Sequence, residues 1–191
     1  MNLPNKLTLI RIGMVPLFAL FATLAARQQA AVLYLLAGVV FALASLTDML
    51  DGQIARREGL VTNFGKFADP LADKILTTAA FLYMLWEGVC DPFALVLILF
   101  REFAVSGLRM LAAGSPDGLV IPANIWGKLK TVLQMLSISV FYFGSALLPA
   151  AGWFRPLVGG LCWACAAVTV LSGVTYLKAC LHLLSDLRGK Q

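Results

Sequence analysis

The sequence predicts an all-α integral membrane protein, a bundle of six transmembrane helices with both termini cytoplasmic, and three observations carry the prediction. The 191 residues are 60% hydrophobic and only 13% charged, with mean hydropathy +0.86, whereas an ordinary soluble domain has about 25% charged residues. The apolar residues gather into runs of about 20, the length that crosses roughly 30 Å of hydrocarbon. Basic residues collect at alternate ends of those runs. Lys6, Arg11, Arg56, Arg57, Lys66, Arg109, Lys128, Lys130, Arg188 and Lys190 fall on one side, chiefly Arg27 and Arg155 on the other, and the rich side is the cytoplasmic one.

Each span is bounded by polar, Gly or Pro punctuation. The first, 7–26, stops at Arg27-Gln28-Gln29. The second, 30–55, stops at Arg57-Glu58-Gly59. The third, 67–89, closes before Asp91-Pro92, and the fourth, 92–113, ends at Gly114-Ser115-Pro116-Asp117-Gly118. The fifth, 123–150, and the sixth, 156–184, are separated by Gly152-Trp153-Phe154-Arg155-Pro156. Short connections and the absence of an internal repeat favour one compact bundle, a single domain over 1–191. Met1 to Arg11 lacks the features of a removed signal peptide, so the first span is expected to stay.

The formal charge of +5 is expected to serve topology and lipid headgroups, with no nucleic-acid partner. Cys162-Trp163-Ala164-Cys165 has C-x-x-C spacing, but it lies in an apolar run without a second pair. These cysteines, with Cys90 and Cys180, are expected to act as small hydrophobes. His182, the only histidine, is expected at an interface rather than in catalysis.

Four of the ten acidic residues, Asp48, Asp51, Asp69 and Asp73, fall within residues 48–73 of this oily chain. A carboxylate near a bilayer centre costs roughly 2.5–3.5 kcal/mol on insertion scales, so four together need compensation, and hard divalent cations with oxygen ligands supply it. Asp48 and Asp51 are three apart, Asp69 and Asp73 four apart, so on helices each pair shares a face. Gly52 and Gly65 permit close approach to the backbone, and Arg56 can fork onto a phosphate. Carboxylates, glycines and an arginine suit a metal-bound pyrophosphate, with one carboxylate free to take a proton from an attacking hydroxyl. Pro70 fits either a helix starting at Asp69 or a kink in one that starts near Thr62.

The pattern Asp48-x2-Asp51-Gly52-x2-Ala55-Arg56-x8-Gly65-x3-Asp69-x3-Asp73 resembles the signature of the CDP-alcohol phosphotransferase family at every specified position. Asn2 to Arg11, Asp69 to Lys74, Arg101 to Arg109 and Gly127 to Thr131 are similar to bacterial members that act on sn-glycerol 3-phosphate. The likeness runs from residue 2 to about 135, and the remainder reads as generic membrane helix. The resemblance implies two divalent ions, Mg²⁺ or Mn²⁺, held by Asp48, Asp51, Asp69 and Asp73, with Asp73 also the general base. It implies that Gly52, Arg56, Thr62 and Gly65 contact CDP-diacylglycerol, and that the phosphatidyl group passes to sn-glycerol 3-phosphate with release of CMP. It further implies a homodimer in the bacterial inner membrane with its active site facing the cytoplasm.

An acceptor phosphate needs cations, and Arg101, Arg109, Lys128 and Lys130 are the candidates. Arg101 and Arg109 are eight apart, near two helical turns, and can share an inward face. Lys128 and Lys130 are two apart and cannot, so one of them is expected in the pocket. Serine, inositol phosphate or phosphatidylglycerol are alternative acceptors within the family. A prenyltransferase would hold its two aspartate motifs farther apart, and a cation channel lined with carboxylates would need neither Arg56 nor the glycines.

Overall fold

The computed structural model describes the backbone of residues 3–58, 63–113, 125–149 and 151–188, and the side chains of residues 9–47, 71–72, 74–109, 125–149 and 151–177. Six helices and no strand occur among the described residues: α1 (Leu3–Gln28), α2 (Ala31–Glu58), α3 (Asn63–Trp86), α4 (Pro92–Ala113), α5 (Ile125–Leu147) and α6 (Phe154–Arg188). The helices match the six expected runs in number and order. The main differences lie at the ends. α2 continues through Glu58, and α3 begins four residues before the expected 67, so Pro70 lies inside a helix and does not start one.

Local chemistry explains the stops. At the end of α1, Gln29 takes a left-handed backbone (φ 51°) and donates its N–H to the Ala25 carbonyl at 2.8 Å. α3 ends three residues short of the expected 89 because Gly88, at φ 71°, turns the chain back. The Val89 and Cys90 N–H groups then close on the Met84 carbonyl at 2.9 and 3.1 Å, a glycine-terminated helix end. Asp91 caps α4, accepting from the N–H groups of Phe93 at 2.8 Å and Ala94 at 3.3 Å. Pro92, which has no N–H to satisfy, fits the first position of that helix.

α1 packs against α2 and α3, α5 lies between α2 and α6, and α4 leans on α6. The core where α1, α2 and α5 meet is aromatic, with Phe18 edge-on to Tyr142 at 5.3 Å and Tyr34 edge-on to Phe141 at 6.1 Å. Small buried residues, among them Ala22, Ala25, Ala37, Ala44, Ala80 and Ala166, bring backbones together as in membrane helix pairs. Gly144 makes room for the Phe154 ring, which would collide with any Cβ there.

The outer surface is oily. Leu20, Val32, Leu43, Phe93, Val96, Phe100, Val132 and Leu177 are all at least half exposed, whereas Arg11, Arg101, Lys130, Gln134, Ser137, Thr169 and Ser172 are buried. Such an inverted distribution suits a lipid solvent, in which polar side chains turn inward. Leu9–Gln28 and Phe154–Leu177 are long and apolar enough to cross a membrane, and shorter apolar stretches cover Ala31–Thr47 and Lys74–Trp86. The apolar run of α4 is broken by Arg101, Glu102 and Arg109, while the helix itself is continuous.

The buried Cys90, Cys162 and Cys165 are free thiols in the apolar core, as expected. The side chains of Cys180 and His182 lie outside the described residues.

Candidate active site

The two ends of the bundle differ chemically. At one end, the start of α2, the α3–α4 turn and the start of α6 are tied together. The Tyr34 hydroxyl donates to Glu87 Oε2 at 2.6 Å, and Arg155 Nη2 donates to the Glu87 carbonyl at 2.6 Å. At the other end, α2 finishes, α3 begins, and the C-terminal halves of α4 and α6 meet the first turns of α5. The candidate site residues whose backbone is described belong to this second end.

Asp48, Asp51, Gly52 and Arg56 occupy the last part of α2, and Gly65, Asp69 and Asp73 the first part of α3. Their side chains, and Thr62 entirely, lie outside the described residues. Among the described residues no group of three or more His, Cys, Asp and Glu could hold a metal; none of the four aspartates is one of them. The four aspartates expected to be donors are all carboxylates, two on each of two helices, a set that would suit hard Mg²⁺ or Mn²⁺ and not a thiolate- or imidazole-seeking ion. Arg11, which the sequence suggested only as a topology charge, is completely buried, and its Nε donates to the Ala44 carbonyl at 3.3 Å. That carbonyl is one turn before Asp48 on α2, so the buried cation is bonded one helical turn from the first of the four aspartates.

The side chains of the basic cluster lie among the described residues. Arg101, 8% exposed, donates from Nη2 to Ser172 Oγ at 2.6 Å, while its Nη1 is 3.9 Å from Glu102 Oε1. Its buried Nε has no hydrogen-bond partner among the described residues. Arg109, two turns further on α4, donates to the Tyr176 hydroxyl. Both guanidinium carbons lie near the ring of Tyr176, at 5.2 Å for Arg101 and 5.0 Å for Arg109, within cation–π range. The expected shared face of the two arginines is therefore present, and it is directed at α6. Of the two lysines, Lys130 is buried and Lys128 exposed, which agrees with only one entering the interior. Lys130 Nζ is ion-paired with Glu102 Oε1.

Two glycines make the space. The Gly173 backbone lies against the Arg101 stem, where a Cβ would meet Cγ at 3.2 Å. At Gly127, a Cβ would stand 3.5 Å from Arg101 Nη2 and 3.7 Å from both Ser172 Oγ and Tyr176 Cε2.

Sequence reasoning missed Ser172 and Tyr176 because α6 reads as generic apolar helix, and it passed over Glu102 on α4 as a neighbour of Arg101. The available signal was the spacing of Ser172 and Tyr176, four apart and hence on one face, in a run otherwise rich in Val, Leu and Ala.

Comparison with known proteins gives the family. The family model for CDP-alcohol phosphatidyltransferase matches residues 1–175, which takes in Ser172 and stops one residue short of Tyr176. A CDP-diacylglycerol--glycerol-3-phosphate 3-phosphatidyltransferase of Bacillus subtilis (strain 168) is 38% identical over 183 residues, covering 92% of this chain and 93% of the relative. The same-named protein of Rickettsia typhi (strain ATCC VR-144 / Wilmington) is 39% identical over 184 residues, 94% of this chain and 97% of the relative. A probable phosphatidylglycerophosphate synthase of Mycobacterium tuberculosis (strain ATCC 25618 / H37Rv) is 36% identical over 187 residues, 98% of this chain and 85% of the relative.

Proposed function

This chain belongs to the CDP-alcohol phosphatidyltransferase family, and on that premise we propose that it transfers the phosphatidyl group of CDP-diacylglycerol to sn-glycerol 3-phosphate, giving phosphatidylglycerophosphate and CMP. The observation that carries the acceptor is the cluster of Arg101, Arg109 and Lys130 with Glu102 as its one carboxylate among the described residues. A net positive, partly buried site favours a phosphate monoester over a neutral alcohol. The names of the relatives supply the same acceptor.

In the proposed reaction Asp73 takes the proton from the acceptor hydroxyl, whose oxygen forms a new bond to the phosphatidyl phosphorus. The bond from that phosphorus to the bridging oxygen breaks, and CMP carries away the bridging oxygen and its electron pair. Gly52, Arg56, Thr62 and Gly65 hold the cytidine diphosphate portion, with Arg56 as the charged contact. Arg101, Arg109 and Lys130 orient the acceptor phosphate; Lys128, on the exposed side of α5, remains available to draw it in. Two divalent ions, Mg²⁺ or Mn²⁺, bound by Asp48, Asp51, Asp69 and Asp73, would neutralise the pyrophosphate oxygens.

The exposed apolar surface supports a six-span, single-domain protein of the bacterial inner membrane. The cationic end, with Arg101, Arg109 and Lys130, is proposed to face the cytoplasm together with both termini, opposite Arg27 and Arg155. A homodimer is the proposed assembly. The test is an acceptor panel with purified protein, labelled CDP-diacylglycerol and Mg²⁺ or Mn²⁺, run with and without chelator. CMP release should require sn-glycerol 3-phosphate and a divalent ion. Equal or faster release with serine, inositol phosphate or phosphatidylglycerol would overturn the acceptor assignment.

A further inference from the structure

Burying a guanidinium is costly unless its donors are met, and Arg101 is met mainly by neutral groups. Ser172, fully buried, and Tyr176, 4% exposed, lie one turn apart on α6. Ser172 Oγ accepts from Arg101 and the Tyr176 hydroxyl from Arg109, while the Tyr176 ring lies beside both cations. Glu102, the carboxylate in this cluster, is engaged by Lys130. A carboxylate at position 172 or 176 would hold the arginines equally well but would cancel their charge. A hydroxyl orients a guanidinium and leaves its charge for an incoming anion. Among the described residues, the positive charges of Arg101, Arg109 and Lys130 exceed the negative charge of Glu102 by two, the complement of a phosphate monoester dianion. Gly127 adds no side chain over Arg101 Nη2, Ser172 and Tyr176.

We infer that Ser172 and Tyr176 are positioning residues that hold Arg101 and Arg109 as a pre-set, uncancelled pair for the acceptor's phosphate, so that α6 helps to determine acceptor specificity. The inference rests on the acceptor assignment proposed above. Neither residue needs to touch the reacting atoms. Their work is to fix two long side chains whose rotamer freedom would otherwise be lost on binding.

The experiment compares Tyr176→Phe, Ser172→Ala and Ser172→Thr with Arg101→Ala and Arg109→Ala in purified, detergent-solubilised protein. Apparent KM is measured for each substrate, and thermal midpoint serves as the folding control. Tyr176→Phe keeps the ring and removes the acceptor oxygen of the Arg109 bond. It should raise KM for sn-glycerol 3-phosphate about fivefold to tenfold and leave KM for CDP-diacylglycerol within about twofold. Ser172→Ala should behave similarly through Arg101, and Ser172→Thr should restore most of the loss. Adding Tyr176→Phe to Arg109→Ala should cause little further change, because the pair acts as a unit. If the arginine variants raise acceptor KM while Tyr176→Phe and Ser172→Ala do not, the positioning role is wrong and the acceptor site stands. If the arginine variants leave acceptor KM unchanged, the acceptor assignment itself fails. Equal losses toward both substrates, tracking the thermal midpoint, would make Ser172 and Tyr176 merely structural and overturn the inference. Should Tyr176→Phe not fold, the Ser172 pair of variants decides alone.

Discussion

Replacing Glu102 by Gln removes one negative charge without changing volume, and the surroundings of Glu102 set the cost. Its side chain is 14% exposed and that of Lys130 7%. The carboxylate oxygen paired with Lys130 also stands 3.9 Å from Arg101 Nη1. At an effective dielectric of about 20, that second, longer interaction alone corresponds to about 4 kcal/mol of Coulomb attraction, part of which offsets desolvation of the charges. The glutamine removes the carboxylate charge that Lys130 and Arg101 share. Breaking a buried pair from one side typically costs about 3–5 kcal/mol. For a chain of this length a kilocalorie moves the thermal midpoint by about 2–4 °C, so Glu102→Gln should lower it by on the order of 10 °C. Lys130→Met should cost less, since Arg101 still faces the carboxylate. The double variant should be markedly more stable than the sum of the two losses predicts. Intrinsic tryptophan fluorescence during a thermal ramp, at a fixed scan rate in one detergent, reads all four proteins. A Glu102→Gln midpoint within 2 °C of wild type, or simple additivity in the double variant, would refute the argument that this pair is buried and coupled.

Asp73→Asn should reduce turnover by about 10²–10⁴-fold while leaving metal binding largely intact, because a proton acceptor is lost; a rate above a tenth of wild type would remove Asp73 from that role. Asp48→Asn and Asp51→Asn should shift the Mg²⁺ or Mn²⁺ titration to higher concentration, and an unchanged titration in both would contradict their place as ligands. Gly127→Ala adds a methyl at ordinary contact distance, 3.5–3.7 Å, from Arg101, Ser172 and Tyr176; its thermal midpoint should hold while acceptor KM rises, which steady-state kinetics checks. Gly144→Ala puts a Cβ into the Phe154 ring and should destabilise by about 1–3 kcal/mol, seen as a lower thermal midpoint.

The amino-acid sequence by itself determined the helical class and the number and order of the helices, because apolar runs, Gly and Pro breaks and flanking charges act over a few residues. It also marked the aspartate motif, whose chemistry is contained in one short stretch from Asp48 to Asp73. It placed Arg101 and Arg109 on one face from their spacing alone, and it separated Lys130 from Lys128 by the two-residue offset, a geometry fixed by 3.6 residues per turn. It left open whether Pro70 starts or interrupts a helix, since proline is tolerated in a first turn and in a membrane helix alike; the start of α3 at Asn63 resolves this. Only the tertiary structure decided what the basic residues meet. Arg101 finds Ser172 across 71 positions of chain, Arg109 finds Tyr176 across 67 and Lys130 finds Glu102 across 28. Arg11, eight residues into α1 and indistinguishable in sequence from a topology charge, became a wholly buried cation because α1 packs along α2. Contacts of that range follow from how helices cross, and a local pattern of apolar and charged residues does not encode the crossing.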